Sequence, residues 1–304
     1  MSDSLGVCIL TYNSAKCISS ALQTIAEHDC GLPLRVIVVD NQSVDGTVAL
    51  VRERFPGIEV IETGANLGYA KGNNIGARRL IRDGCSHVVF LNPDVVLCPG
   101  CLRRMYENLR ADRAAGCTAP VLAGYENRSY RKRPDAFQKF VLYGVLKKLP
   151  LFRALLKPVF NRSLDSHFFP RTVKDGEEVY SVTGSCLMIK TAAFLDIGGL
   201  DENTFLFEEE LILTERLHGK KWRVIASPSA KCAHDTGHSM PKSLAVEFRY
   251  FLESERYLIS EYYRWPAAKR FLWRLARETE YLLLRANDAV QALWKSPRGR
   301  PDPR

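Results

Sequence analysis

The stretch Val88-Val89-Phe90-Leu91-Asn92-Pro93-Asp94 is an apolar, β-branched run that ends in an acidic tip. A short apolar run bounded by turn residues predicts a buried strand. In an open α/β sheet, ligands bind at the carboxyl ends of the strands. A carboxylate there can hold a divalent cation, and the cation can hold a diphosphate. Asn-Pro-Asp is also ordinary turn chemistry, so the stretch alone leaves both interpretations open.

Upstream of this stretch, short apolar runs alternate with helical patterns. Strands are predicted at residues 7–10, 35–39 and 59–62. Helices are predicted after residue 14, at residues 47–55 and from the Gly/Asn-rich loop 66–74 through residue 82. Strands that alternate with helices at this spacing predict an α/β fold with a mostly parallel, doubly wound sheet.

The pattern changes after residue 115. Strands are predicted at residues 117–122, at 179–190 with an interruption at 183–185, and at 222–225, followed by a polar loop at 233–239. Residues 137–149 form a basic amphipathic segment, either a core helix or a surface that faces a membrane or an acceptor. We expect an α/β domain over residues 1–240, a helical extension over 241–294 and a disordered tail over 295–304.

Composition restricts the class of protein. The chain has 304 residues, of which 46% are hydrophobic and 25% charged, as in soluble globular proteins. It has no uncharged apolar run of the roughly 18 residues that a membrane helix needs, and no secretory signal pattern at its start. The nine cysteines are scattered and odd in number, which favours buried free thiols in a reducing cytoplasm. The Cys98-Pro-Gly-Cys101 spacing is more simply a turn than a redox or zinc site.

The formal net charge of +9 predicts an anionic partner. Basic residues cluster at 128–133, at 139–157 and after residue 249. No nucleic-acid-binding motif accompanies them, so we rank an anionic membrane surface above nucleic acid. The alternative is that these residues only solvate the surface.

Four polar loops follow predicted strands, at residues 11–14, 40–46, 66–74 and 92–94. In a doubly wound sheet they converge on one edge, where a base, ribose and diphosphate would lie. The chain has neither a Walker motif nor a GxGxxG after the first strand. A cation held by Asp94 would be the natural substitute. Asp40 would accept the N3–H of a pyrimidine, or would only cap a turn.

Seven motifs in order carry a family resemblance. They are Val7-Cys-Ile-Leu-Thr-Tyr-Asn13, Val38-Val-Asp-Asn-Gln-Ser-Val-Asp-Gly46, Asn66-Leu-Gly-Tyr-Ala-Lys-Gly-Asn-Asn-Ile-Gly76, Leu91-Asn-Pro-Asp94, Gly198-Gly-Leu-Asp-Glu202, Phe205-Leu-Phe-Glu-Glu-Glu210 and His234-Asp-Thr-Gly-His-Ser239. Over about residues 5–240 the chain resembles the family 2 inverting glycosyltransferases of GT-A fold. It is most similar to their bacterial rhamnosyltransferase branch.

The resemblance implies a nucleotide-binding half over residues 1–115 and an acceptor-binding half over 116–240. The implied nucleotide-sugar-binding residues are Thr11, Tyr12, Asn13, Asp40, Asn41, Asp45, Asn66, Gly68, Asn74 and Asn92. Asp94 would bind Mg²⁺ or Mn²⁺, and His234 would be a further metal ligand. Asn92 departs from the family's acidic motif, which leaves one carboxylate there. Gly184 and Ser185 would lie on the acceptor side.

Displacement at an anomeric carbon needs a base for the acceptor hydroxyl and a cation for the leaving diphosphate. Residues 208–210 are three glutamates at a predicted helix start, where the macrodipole favours carboxylates with or without chemistry. The family's acidic pair, usually Glu-Asp, aligns with Glu209 and Glu210. The resemblance therefore implies Glu210 as the base and Glu209 as the second choice.

The resulting hypothesis is an inverting hexosyltransferase for cell-wall or surface polysaccharide. It would move a sugar, such as L-rhamnose from dTDP-rhamnose, to a glycan or a polyprenyl-diphosphate-linked acceptor. We expect a cytoplasmic protein, peripheral on the inner face of the cytoplasmic membrane, with a homodimer left open. The alternatives are another sugar donor and a non-catalytic protein that binds glycan or membrane. A sugar-phosphate nucleotidyltransferase would need a Gly-rich basic loop after the first strand, and residues 11–16 do not form one.

Overall fold

The computed structural model of the chain describes residues 3–27, 30–133, 169–170, 172–234 and 244–295. These residues form two compact units, one ending at residue 234 and one comprising residues 244–295. The basic amphipathic segment at 137–149 lies outside the described residues. So do residues 235–239 of the expected polar loop and residues 296–304 of the expected tail.

The first unit alternates strands and helices. Its strands are β1 (Leu5–Thr11), β2 (Leu34–Asp40), β3 (Glu59–Glu62), β4 (His87–Leu91), β5 (Val95–Leu97), β6 (Ala115–Leu122), β7 (Tyr130–Arg131), β8 (Ser181–Val182), β9 (Cys186–Lys190) and β10 (Arg223–His234). Its helices are α1 (Ile18–Ala26), α2 (Thr47–Arg54), α3 (Tyr69–Arg82), α4 (Cys101–Ala111), α5 (Thr191–Asp196) and α6 (Glu209–Gly219).

Eight strands form one sheet in the order β3-β2-β1-β4-β9-β6-β10-β5. Strands β3, β2, β1 and β4 are mutually parallel, and β6 is parallel to β10. Strand β9 runs antiparallel between β4 and β6, and β5 runs antiparallel to β10. The predicted α/β class, with a mostly parallel sheet flanked by helices, is confirmed.

Alternation along the strands creates two cores, because successive side chains point to opposite faces. Val7 and Ile9 join one cluster, whose helical residues come from α1, α2 and α4. Cys8 joins the other, whose helical residues come from α3, α5 and α6. Phe90 is fully buried in the second cluster, 6.0 Å from Phe194 of α5 between ring centroids. The sheet therefore lies between two layers of helices. Because both faces are covered, a ligand can reach the sheet only at the ends of its strands. All nine cysteines carry free thiols, and eight are buried.

The interruption predicted at residues 183–185 is the point at which the chain changes sheets, so the strand region predicted at 179–190 consists of two strands. Strand β8 pairs with β7 in a separate two-stranded sheet, whereas β9 pairs with β4. The expectation of a polar loop from residue 233 was wrong for residues 233 and 234, because β10 continues to His234 and pairs there with Val95 of β5.

The second unit is helical. It contains α7 (Leu244–Tyr257), a π-helical turn (Leu258–Tyr262) and α8 (Ala267–Lys295), with a break before α8 that includes Trp265 and Pro266. Trp273 and Ile259 form its small buried cluster. Within the described parts of the chain, no helix has the length and apolar character that a membrane span requires.

Candidate active site

The strand register brings the predicted loops to one edge of the sheet. Thr11 lies opposite Asp40, and Asp40 lies opposite Glu62. Ile9 lies opposite Leu91, so β4 ends at the same edge of the sheet, two residues before β1 ends at Thr11. The carboxyl ends of parallel strands are where α/β proteins bind ligands.

Asp40 is buried at this edge and held by three donors. Its Oδ1 accepts hydrogen bonds from Thr11 Oγ1 at 2.7 Å and Ser43 Oγ at 2.6 Å, and its Oδ2 accepts one from the Ser43 amide at 2.8 Å. A carboxylate offers about four acceptor positions. One position therefore remains for a donor such as a base N–H.

Asn13 links the first two loops. Its amide donates to Ser43 Oγ at 2.8 Å, and its Oδ1 accepts from the Val44 amide at 2.9 Å. Its φ of 54° is in the left-handed region that Asn tolerates. The Tyr12 side chain beside it is 44% exposed, which leaves an aromatic face available for stacking.

Asp45 connects the same loops from the other side. Its Oδ2 accepts from the Ala15 amide at 3.0 Å, and its Oδ1 accepts from the Thr47 amide at 3.1 Å and from the Thr47 hydroxyl. Burial opposes ionisation, but these donors outweigh it and lower the pKa of the Asp45 carboxyl. Asp45 thus acts as a structural anion at the start of α2.

Asn41 and Asn66 hold the Gly/Asn-rich loop. Asn41 Nδ2 donates to Gly68 O at 3.1 Å and to Asn66 Oδ1 at 3.3 Å. Gly68 has φ of 80°, and a Cβ there would lie 2.4 Å from Phe205 O, so only glycine fits. The close approach of Gly68 to Phe205 places the Gly/Asn-rich loop next to the segment 205–210, which carries the three glutamates.

The Asn74 side chain contacts the loop at residues 198–202. It is fully buried, its Nδ2 donates to Leu200 O at 2.9 Å and to Glu202 Oε1 at 2.8 Å, and its Oδ1 accepts from the Leu200 amide. Its amide is engaged by the 198–202 loop.

Asn92-Pro93-Asp94 is a turn that presents a carboxylate. The Val95 amide donates to Asn92 O at 3.2 Å and closes the turn. The Asn92 amide donates to Ser185 O at 2.9 Å, which joins the donor edge to the predicted acceptor side. Asp94 is 8% exposed, and the backbone of His234 pairs with the next residue, Val95. Among the described residues, no three His, Cys, Asp or Glu side chains form a metal cluster.

The backbone is strained immediately before the helix that begins with Glu209 and Glu210. Phe207 and Glu208 have φ of 73° and 62°, immediately before α6 begins at Glu209. Such conformations cost about 1–3 kcal/mol each and concentrate at functional sites. This turn places Glu209 and Glu210 in the first turn of α6, where the macrodipole favours negative charge.

Glu210 lies beside the acceptor-side glycine. Its Oε1 pairs with Arg131 Nη2 at 2.9 Å, and its Oε2 lies 3.8 Å from where a Gly184 Cβ would be. Gly184 therefore leaves open space next to this carboxylate.

Glu209 has different surroundings. Its Oε1 is buried without a hydrogen-bond partner in the described chain, although the residue keeps part of its surface. Burial first, and the neighbouring Glu210 charge second, raise the pKa of Glu209 to about 8. It is therefore mostly protonated at neutral pH.

The sequence did not indicate Tyr69 or Arg131 as site residues. Tyr69 Oη donates to Gly184 O at 2.9 Å, and burial, reinforced by the charges of Glu209 and Glu210, raises its pKa well above the usual range. It is thus a permanent hydrogen-bond donor. Tyr69 lay inside a quoted motif, whereas Arg131 lay in a basic run assigned to anionic partners.

Known proteins match this chain along most of its length. The family model described as Glycosyl transferase family 2 matches residues 6–198. An N-acetylglucosaminyl-diphospho-decaprenol L-rhamnosyltransferase of Mycobacterium tuberculosis is 28% identical over 253 residues, which are 79% of this chain and 78% of the relative. Rhamnosyltransferase WbbL of Escherichia coli is 23% identical over 250 residues, 78% of this chain and 84% of that protein.

A solved structure shares the fold. The mannosyltransferase PcManGT of Pyrobaculum calidifontis, in complex with GDP-Man and Mn²⁺, superposes with a TM-score of 0.54 at 18% identity. The match covers 97% of this chain and 83% of that one. At this identity the likeness concerns the fold.

Proposed function

Because this chain belongs to glycosyltransferase family 2, we propose that it moves a sugar, with inversion, from a nucleotide-diphosphate sugar to a glycan or polyprenyl-diphosphate-linked acceptor. It is a glycosyltransferase with an α/β fold of the GT-A type. One observation carries the specific proposal. The hydrogen bond from the Asn92 amide to Ser185 O joins the strand tip of Asp94 to the Gly184 segment beside Glu210.

Glu210 is the proposed base. The acceptor hydroxyl passes its proton to the carboxylate, its oxygen forms a bond to the anomeric carbon, and the bond to the diphosphate oxygen breaks. The displacement occurs on the face opposite the leaving group and therefore inverts the anomeric centre. Arg131 orients the carboxylate through the 2.9 Å ion pair, and the small Gly184 admits the acceptor.

Glu209 is the second candidate for the base. Its raised pKa and its buried oxygen without a partner in the described chain fit a carboxyl group that stays neutral near pH 7. We therefore assign Glu209 to reducing the local negative charge, with Glu210 as the base.

The donor would lie along the strand ends at Thr11, Asp40 and Asn92. Mg²⁺ or Mn²⁺ would be held by Asp94, whose carboxylate oxygens are the ligands these ions prefer, with His234 as the second ligand. The fit rests on Asp94 being a nearly buried carboxylate and on His234 pairing beside it in the sheet. Cations of this kind usually bind one or two carboxylates together with substrate phosphates. A bound cation stabilises the charge that develops on a leaving diphosphate.

We propose L-rhamnose from dTDP-rhamnose as the donor and a lipid-linked acceptor. The proposal is supported by two relatives named rhamnosyltransferases, one of which is named for a diphospho-decaprenol substrate. An enzyme that uses a lipid-linked acceptor must bind that acceptor at the surface of a bilayer. We accordingly propose a peripheral location on the inner face of the cytoplasmic membrane.

The test is turnover of nucleotide sugars. The purified full-length chain with Mn²⁺ or Mg²⁺ would be incubated with dTDP-rhamnose and with UDP- and GDP-linked sugars, and release of nucleoside diphosphate would be measured. We expect release from one donor that rises when a polyprenyl-diphosphate-linked acceptor is added. Absence of both binding and release for every donor would contradict the proposed function.

A further inference from the structure

The helical unit contains a cavity that the proposed chemistry does not use. It has a volume of about 580 Å³ and lies between α7 and α8. Its charged lining consists of five arginines and two glutamates: Arg249, Arg256, Arg270, Arg274, Arg277, Glu253 and Glu278. Its apolar lining includes Leu252, Ile259, Phe271 and Trp273. An arginine-rich rim over an apolar floor suits a ligand with an anionic head and an apolar body.

The ion pairs show which arginines are available to a ligand. Those of Arg249, Arg274 and Arg277 lie within the unit, to Glu253 at 3.0 Å, Glu278 at 2.6 Å and Glu255 at 2.8 Å. Arg256 and Arg270 are exposed and make no ion pair within the described parts of the chain. Guanidinium groups bind phosphate oxygens with two parallel hydrogen bonds. Both of these arginines line the cavity, so both are available to a phosphate bound there.

An apolar stripe continues from the cavity onto the surface of α8. Phe271, Leu275 and Leu282 are 65%, 57% and 65% exposed, and their spacing of four and seven residues places them on one helix face. Trp273, on the opposite face, is 6% exposed. Phe271 belongs to both the cavity lining and the stripe. Large side chains exposed in a row on a helix with basic neighbours are typical of interfacial helices.

We propose that the cavity and the adjoining stripe, together called the groove, bind a membrane lipid with a phosphate headgroup. Arg256 and Arg270 bind the phosphate, and Phe271, Leu275 and Leu282 enter the boundary of the acyl chains. The apolar stripe favours a lipid over nucleic acid or free phosphate, since neither of those would bury it. The inference rests on the proposed function in one respect: a lipid-linked acceptor brings the enzyme to such a surface.

Vesicle binding of the full-length chain tests the groove. Co-sedimentation would use phosphatidylcholine vesicles with or without phosphatidylglycerol. Each basic residue near an anionic surface strengthens binding about five-fold, so the double variant Arg256→Gln/Arg270→Gln should bind the anionic vesicles about 30-fold more weakly. The matched control is Arg54→Gln/Arg82→Gln, which removes two exposed arginines of the first unit that also make no ion pair within the described residues. It should bind like the wild type.

A second variant tests the apolar part. Phe271→Ser/Leu275→Ser should weaken binding to the same vesicles by at least ten-fold, at about 0.8 kcal/mol per methylene group no longer buried. The proposal is overturned if either groove variant binds like the wild type. It is also overturned if inorganic phosphate or a short oligonucleotide displaces the vesicles from the wild type at moderate salt. Donor binding in solution, measured on the same proteins, tests the proposed function separately, because the groove variants keep every residue of the donor edge.

Discussion

At the scale of single residues, the two neighbouring carboxyl groups at the start of α6 differ in their surroundings. Glu210 faces the guanidinium of Arg131, whereas Glu209 keeps one buried oxygen without a partner in the described chain. Burial, with the nearby Glu210 charge, raises the pKa of Glu209 to about 8. Glu209 therefore adds little negative charge to the site beside Glu210 at neutral pH.

This difference gives a pH-dependent stability. The folded chain holds the Glu209 proton more tightly than the unfolded chain, because its pKa rises from the usual 4.5 to about 8. Relative to Glu209→Gln, the wild type should therefore be most stable below about pH 4.5 and should lose stability as the pH rises toward 8. The slope is at most about 1.4 kcal/mol per pH unit, and less here because Glu209 is partly exposed.

Urea denaturation of both proteins across this pH range checks the expectation. Glu53→Gln, which removes an exposed carboxylate on α2, is the control and should give a constant offset from the wild type. Parallel pH profiles for the wild type and Glu209→Gln would show that Glu209 ionises normally in the folded chain.

Asp94 is the residue on which the proposed cation depends. Asp94→Asn keeps the turn, since Asn suits it equally well, but removes the charge. We expect donor affinity measured with Mn²⁺ to fall at least ten-fold, toward the level of the wild type in EDTA. Calorimetry of donor binding with and without Mn²⁺ gives the comparison. If Asp94→Asn retains a cation-dependent gain equal to that of the wild type, Asp94 is not the ligand.

The sequence predicted part of this site and missed part for a physical reason. Asp40 and Asp94 follow apolar runs, so strand periodicity alone placed them at a sheet edge. Tyr69 and Arg131 act through contacts to Gly184 and Glu210, which are distant in the sequence. Such contacts depend on how β7, β8 and α6 pack, and no local pattern encodes them.

At the scale of elements, the packing of α3 against β1 sets the position of the Gly/Asn-rich loop that precedes and begins α3. A Cβ on Gly72 would lie 2.3 Å from Leu10 Cδ1, and one on Gly76 would lie 2.3 Å from Cys8 Sγ. A spacing of four residues places both glycines on one helix face. The helix therefore lies close to the strand, and its first residues reach Asn41 and Phe205.

Gly76→Ala should destabilise the protein by about 1–3 kcal/mol, the usual range for overpacking a filled core. The matched control is Gly219→Ala, at the end of α6, where a Cβ would meet nothing within 4 Å. That change should be neutral, or stabilising by up to about 1 kcal/mol, because Ala has the higher helix propensity. Chemical denaturation measures both. Equal effects of the two substitutions would mean that α3 does not need its glycines for close packing.

The order of strands and helices over residues 5–91 followed from the sequence, because each apolar run is short and flanked by polar loops. The pairing of the strands on either side of the interruption at 183–185 did not, because an apolar pattern does not specify a partner strand. Only pairing distinguishes β8, which joins β7, from β9, which joins β4. Strand β5 is only three residues long, and its place depends on the distant β10.

At the scale of the whole molecule, the helical unit has its own buried anchor. Glu255 is fully buried, and its oxygens accept from Arg277 Nη2 and from Trp273 Nε1, both at 2.8 Å. The sequence predicted a helical extension over 241–294 on an α/β domain over 1–240, and we propose that this extension unfolds independently of the domain. A substitution in this ion pair should therefore destabilise the helical unit without altering the α/β unit.

Arg277→Met should destabilise the helical unit by about 3–5 kcal/mol, because it leaves the buried Glu255 charge without its partner. Hydrogen exchange should then accelerate in α7 and α8 and remain unchanged in β1 and β4. Arg274→Met, which removes a mostly exposed arginine of an i,i+4 pair, is the control and should change exchange little. Faster exchange of β1 and β4 in Arg277→Met would show that the two parts unfold together.

The central claim is that Glu210 removes the acceptor proton on a donor held at the carboxyl ends of the strands. The most direct measurement is kcat of Glu210→Gln with the donor and acceptor identified by turnover, alongside donor affinity. We expect kcat to fall by about 10²–10⁴-fold, as for loss of a general base, with donor affinity within about two-fold of the wild type. Full activity in Glu210→Gln, with unchanged donor binding, would contradict the account.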